Sequence, residues 1–207
     1  MKISLSEGTW DKSTADIVAI AVPSGKTNFN RALGRIEVVT GKGSIKPLAS
    51  DERFSGKASQ TLKVAAGGKA KSRWLLLVGI GDSKDAQKIA WNMGHALSTA
   101  ARAQTSAAVE LPEITPESVR AVSQGLVAGA YRYTEYKSDK TAAATLASAI
   151  ILGAPKGARG LTAAVRAGKA VAESTNFARD LVNRPPNDLN PVTLARAAST
   201  ESKKLGL

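Results

Sequence analysis

Cysteine is absent from the 207 residues and histidine occurs once, as His95. Zinc sites built from cysteine or from several histidines are therefore excluded, and a Ser-His-Asp triad could draw only on His95. The lack of cysteine also removes any disulfide framework and suits a reducing compartment. Aromatic residues make up only 4% of the chain, so its core must be built from Val, Ile, Leu and Ala. Long apolar runs are missing as well. No stretch is long enough to span a bilayer, and Met1 to Trp10 is polar and strand-like, without the apolar centre of a signal peptide. A cytoplasmic location with no membrane partner is expected. Acidic residues are in short supply: 17 Asp and Glu face 29 Lys and Arg. Paired carboxylates suited to shared acid-base work are not evident. Asp51 and Glu52 are adjacent, hence on opposite sides of an extended segment, and Asp180 and Asp188 are separated by a proline break.

What is present is ordinary globular material, 43% hydrophobic and 22% charged, enough for one sizeable core. Apolar runs and helical periodicity alternate along it. Strands are expected at 16–22, 60–65, 73–80, 107–111 and 146–152, and helices at 28–36, 84–103 and 116–131. Arg73 to Ile80 (RWLLLVGI) is a continuous apolar run of the kind covered on both faces. This order predicts an α/β domain of three layers, a mixed, largely parallel central sheet flanked by helices, macro-like in type and followed by a connector helix. Positions 41–72, rich in Gly, Lys and Ser, read as a mobile loop or hairpin. Gly79-Ile80-Gly81-Asp82 sits between strand and helix, where α/β proteins bind phosphate, but Lys84 stands where the dinucleotide fingerprint needs its third glycine. A tight turn is the expected role, with no nucleotide. In the helix 84–103, Ala86, Ile89, Ala90, Met93, Leu97 and Ala100 form the apolar stripe, while Trp91 and His95 share a second face.

The most informative stretch is Asn176 to Pro191, NFARDLVNRPPNDLNP. Positions 161–183 have high helix propensity, and Pro185 and Pro186 end that helix, because proline cannot donate a backbone hydrogen bond and displaces its predecessor from helical geometry. Asn190 and Pro191 then form an N-cap and first-turn pair that opens a second helix. Helix, stiff break and capped helix make a connector between domains. The same run resembles the interdomain linker of the leucyl aminopeptidases, whose members show a similar ARDLVN-x-PPN-x-L. Gly129-Ala130-Tyr131-Arg132-Tyr133 with Tyr136-Lys137, and Phe54-Ser55-Gly56-Lys57, are similar to two further family segments in the same order.

The resemblance implies three parts: an N-terminal α/β domain over 1–160, a connector over 161–190, and the truncated start of a catalytic domain over 191–207. Its linker residues would be Phe177, Arg179, Asp180, Leu181, Asn183, Pro185, Pro186 and Asn187, which set the angle between domains. Phe177 and Leu181 are expected to be buried against the catalytic domain. The implied parent is a metal-dependent peptidase that uses two divalent ions, zinc or manganese, held by a lysine, aspartates and a glutamate, and that assembles as a hexamer. None of those catalytic motifs maps onto this sequence, so this chain alone is expected to hold no cofactor and to be inactive.

Charge suggests a second use. Between Lys26 and Arg73 eleven Lys or Arg face three acids, a large share of the formal +12. Lys42, Lys46, Arg53, Lys57, Lys63, Lys69, Lys71 and Arg73 could bind double-stranded DNA through its phosphates by counterion release, without reading bases. Some bacterial members of the resembling family use this domain to bind duplex DNA. Stacking on single strands is not expected, since only Phe29 and Phe54 lie within the region and Trp74 beside it. A basic surface equally suits an acidic catalytic domain; attraction to anionic membranes lacks a basic amphipathic helix to support it.

Overall fold

The computed structural model describes residues 1–138 and 146–206. Six strands form one sheet in the order β1-β6-β5-β2-β4-β3. They are β1 (Lys2–Ser6), β2 (Ile17–Pro23), β3 (Thr61–Ala65), β4 (Trp74–Gly81), β5 (Ser106–Glu110) and β6 (Ser148–Leu152). All neighbours run parallel except β3, which pairs antiparallel with β4 at one edge. The expected mixed, largely parallel sheet is what the chain forms.

Side chains alternate across the sheet and divide the core in two. Ile17 and Ala19 of β2 with Leu76 and Val78 of β4 face α3 (Ala86–Ala100), α4 (Pro116–Ala130) and α5 (Leu161–Asn183). Val18, Ile20 and Val22 with Leu75 and Leu77 face α1 (Lys26–Thr40) and α2 (Lys46–Asp51). Central strands covered on both sides must be apolar throughout, which is why β4 reads as an unbroken apolar run. α5 is more than a connector. Leu161, Ala164, Val165, Gly168 and Ala172 bury its first half, and only beyond them does it leave the core. A sixth helix, α6 (Pro191–Leu205), follows the proline break and buries no residue.

The segment 41–72 is not one loop. It contains α2 as well as β3, and the reason is non-local. Glu37, buried on α1, accepts hydrogen bonds from the backbone N–H groups of Ile45 (3.1 Å) and Lys46 (2.9 Å), satisfying first-turn donors that no neighbouring side chain caps. Burial pushes the Glu37 carboxyl up, but those amides and the Lys46 ammonium, 3.6 Å away, outweigh it and hold the group below its ordinary value.

The three helices on the opposite face meet through glycine. A Cβ at Gly125 would lie 2.2 Å from the Trp91 carbonyl oxygen, and one at Gly94 2.4 Å from that of Val122, so α3 and α4 pack backbone to backbone. Trp91 and His95 stack in parallel at 5.0 Å on this crossing, both half-buried, which makes them part of the α3–α4 packing. Gly79 has a related role on β4: a Cβ there would meet the Lys57 carbonyl oxygen at 2.1 Å. The Phe54–Lys57 segment therefore crosses directly over Gly79-Ile80-Gly81, which the close approach of backbones explains without a phosphate.

Candidate functional site

Two of the sequence motifs meet in space. Asn176, Arg179, Asp180 and Asn183 are spaced i, i+3, i+4 and i+7, which places them on one face of α5. That face is polar because it meets the end of α4 and the segment that follows it. The Tyr131 hydroxyl donates to Asp180 Oδ1 at 2.7 Å and accepts from Asn183 Nδ2 at 3.1 Å. The Arg179 guanidinium lies over the Tyr131 ring, 3.9 Å from its centroid, in cation–π geometry. Asn176 Nδ2 reaches the Val127 carbonyl at 3.4 Å, and Arg179 Nη1 that of Ala128 at 3.5 Å, which also accepts from the Tyr131 amide, so α5 side chains engage the carbonyls at the last turn of α4. Burial raises the pKa of Tyr131, and donation to Asp180 raises it further, so the hydroxyl stays a donor.

The contacts continue past the end of α5. Arg184 Nε lies 3.4 Å from Glu135 Oε2. The Tyr136 hydroxyl donates to Asp188 Oδ2, a bond that pushes the Tyr136 pKa up, and Tyr133 packs against Tyr136 with centroids 5.9 Å apart. The Pro185 carbonyl accepts from the amides of Asp188 and Leu189, both at 2.9 Å, closing a turn over the break. Asn190 then caps α6 by accepting from the amides of Val192 and Thr193, each at 3.1 Å, while Thr193 Oγ1 donates to the Asp188 carbonyl at 2.8 Å. Residues 131–136 thus bracket the chain from Arg179 to Asp188.

Of the expected linker residues, Arg179, Asp180 and Asn183 belong to this bracket. Phe177 and Leu181 line a groove of about 400 Å³ between α5 and α6, facing Arg196 and Ala197, and are half-buried there. Pro185, Pro186 and Asn187 are exposed. Tyr131, Tyr136, Glu135, Arg184 and Asp188 complete the site and were not named as site residues from sequence. The polar i, i+3, i+4, i+7 face that follows the buried half of α5 was the signal that this helix has a polar partner.

The eight cations singled out by charge are all exposed. They do not share one face. Lys42 and Lys46 flank the turn from α1 to α2, and Lys46 pairs with Glu37. Leu62 and Val64 of β3 point into the core beneath α1, so Lys63 projects from the opposite side, 4.8 Å above the Trp74 ring, with Arg73 5.9 Å from that ring. Lys69 and Lys71 lie in the β3–β4 connection, Lys57 beside Gly79, and Arg53 adopts a left-handed φ of 53° after α2. Among the described residues no three of His, Asp and Glu converge closely enough to hold a metal ion. Nor is any described helix long and apolar enough to cross a membrane.

The model of the "Cytosol aminopeptidase family, N-terminal domain" matches residues 25–140. A protein described as a probable cytosol aminopeptidase from Streptomyces avermitilis is 30% identical over 99% of this chain and 43% of its own length. A similarly described protein from Roseiflexus castenholzii is 37% identical over 70% of this chain and 32% of its own. The chain therefore spans less than half the length of these curated relatives. Among solved structures, a tomato leucine aminopeptidase variant superposes with a TM-score of 0.82 at 24% identity, covering 99% of this chain and 42% of that one. The bottromycin maturation enzyme BotP superposes with a TM-score of 0.68 at 26% identity over 93% of this chain and 38% of its own.

Proposed function

Since the chain belongs to the cytosol aminopeptidase family, with its N-terminal domain at residues 25–140, we propose that it is the non-catalytic N-terminal domain of a cytoplasmic, metal-dependent leucyl aminopeptidase, and that its task is to orient the catalytic domain. The parent would hydrolyse N-terminal residues from peptides, using two divalent ions, zinc or manganese, to polarise the scissile carbonyl and activate a water. The metals and the chemistry are assigned to the catalytic domain, as the family resemblance implies.

The observation that carries the orienting role is the bracket. Tyr131, Tyr136 and Glu135 grip Asp180, Asp188 and Arg184 on both sides of the helix end. The two prolines beyond remove backbone freedom at the break. Such a junction transmits a fixed direction into α6 and whatever follows it. Hexamer assembly is a second contribution we assign to this domain; an unchanged hexameric mass for this chain, compared with the longer protein, would place assembly contacts within it. The reading is tested by following the native gene past codon 207. A frame that continues with a lysine and acidic metal motif supports it, and a stop directly after Leu207 overturns it.

A second reading is favoured by the exposure of the eight named cations among the eleven Lys and Arg of the region 26–73. Duplex DNA would be bound through phosphate contacts at Lys42, Lys46 and Lys57, with affinity falling steeply as salt rises. Unchanged binding when these three become Ala would remove the region as the site.

A further inference from the structure

We propose that the cleft at the carboxyl end of the sheet binds a small, flat organic anion. Its origin is topological. β2 leads into α1 on one side of the sheet, while its two neighbours, β4 and β5, lead into α3 and α4 on the other. Connections that part in this way open a crevice beyond the strand ends, the place where open α/β sheets take ligands. Here the crevice has a volume of about 450 Å³, within the ordinary range for small-molecule sites.

Its lining is divided by chemistry. Ile20 and Ala21 of β2, Ile80 of β4, and Leu111 and Pro112 after β5 supply an apolar bed. Asn28, Arg31 and Arg35 rise along its edge at i, i+3 and i+7 of α1, one face of that helix. The face is distinct from the one that α1 buries through Leu33, Ile36 and Thr40, so these polar side chains are not required by packing against the sheet. Glu110 stands opposite, at the end of β5, 3.4 Å from Arg35. One carboxylate facing two guanidiniums leaves an excess positive charge, and Arg31 has no acidic partner among the described residues.

A ligand suited to this lining has three parts. An oxyanion would take the planar donors of Arg31 and Arg35, which match phosphate or carboxylate geometry. A flat apolar body would cover Ile20, Ile80 and Leu111. A hydroxyl or amino group would donate to Glu110, whose pKa is raised by burial, against the pull of Arg35, and which accepts when ionised. Nucleoside monophosphates and aromatic carboxylic acids share this chemistry.

The test is calorimetric titration of the chain at low salt with AMP and, separately, with indole-3-acetate, using adenosine and ribose 5-phosphate to divide the first into body and charge. One of the two anions should saturate near one per chain, and AMP, if it is the one, should bind at least about tenfold more tightly than either fragment. Arg31→Ala should weaken binding by about tenfold or more, while Arg166→Ala, exposed on α5 and outside the cleft, leaves it unchanged. Methyl resonances of Ile20 and Ile80 should shift on binding to the unmodified chain, which keeps the test open if a variant folds poorly. Saturation by neither anion up to about 10 mM, equal affinity in Arg31→Ala, or shifts confined to residues outside the cleft would overturn the proposal.

Discussion

At the scale of single residues, the fold is fastened by a few polar groups that serve several partners at once. Asp16 is the clearest. Its Oδ2 accepts from the amides and hydroxyls of Thr105 and Ser106, at 2.9 to 3.1 Å, tying the start of β2 to the start of β5. The Ser106 amide, then its hydroxyl and that of Thr105, hold the Asp16 carboxyl below its ordinary value. A depressed carboxyl adds stability above its unfolded pKa of about 4 and loses it as pH falls through the folded value. Asp16→Asn should therefore be less stable than the unmodified chain at pH 7 by about 1–3 kcal/mol. The gap should close below about pH 4, which urea denaturation across pH would show. Tyr131 gives a smaller effect. Tyr131→Phe removes the bonds to Asp180 and Asn183 but keeps the ring beneath Arg179, so urea denaturation should register a loss of about 0.5–1.5 kcal/mol.

At the scale of elements, backbone proximity dominates the face that carries α3, α4 and α5. Alanine normally favours a helix over glycine by about 1 kcal/mol. At Gly125 the added methyl would meet the Trp91 carbonyl, so Gly125→Ala should destabilise by about 1–3 kcal/mol instead, readable as a lowered melting temperature. The same scale shows what was legible in the sequence. β2 and β4 announce themselves as apolar runs, and α6 through Asn190-Pro191, because each signal lies within one element. α2 was hidden because its first amides are satisfied by Glu37, on another helix. The site was half legible for the same reason. The ARDLVN run and its proline break marked a connector, yet the partner of Asp180 is Tyr131, 49 positions earlier, and nothing local couples them.

At the scale of the whole molecule, α5 joins a buried half to an exposed one, and two apolar side chains beyond the core are left uncovered. Val182 is 84% exposed and Val192 67%. Both lie at the break that the bracket steadies, where a following domain would seat. If the prolines stiffen that seat, replacing Pro185 and Pro186 with Gly should speed limited proteolysis between Arg184 and Asn190 while the melting of the sheet and the helices packed on it stays unchanged. The central claim is that these residues orient catalysis and do not perform it. Its most direct test is hydrolysis of leucine p-nitroanilide by this chain with manganese or zinc added, under conditions where a full-length relative turns over. No release of nitroaniline above the metal-only background is predicted; metal-dependent turnover by this chain alone would contradict the account.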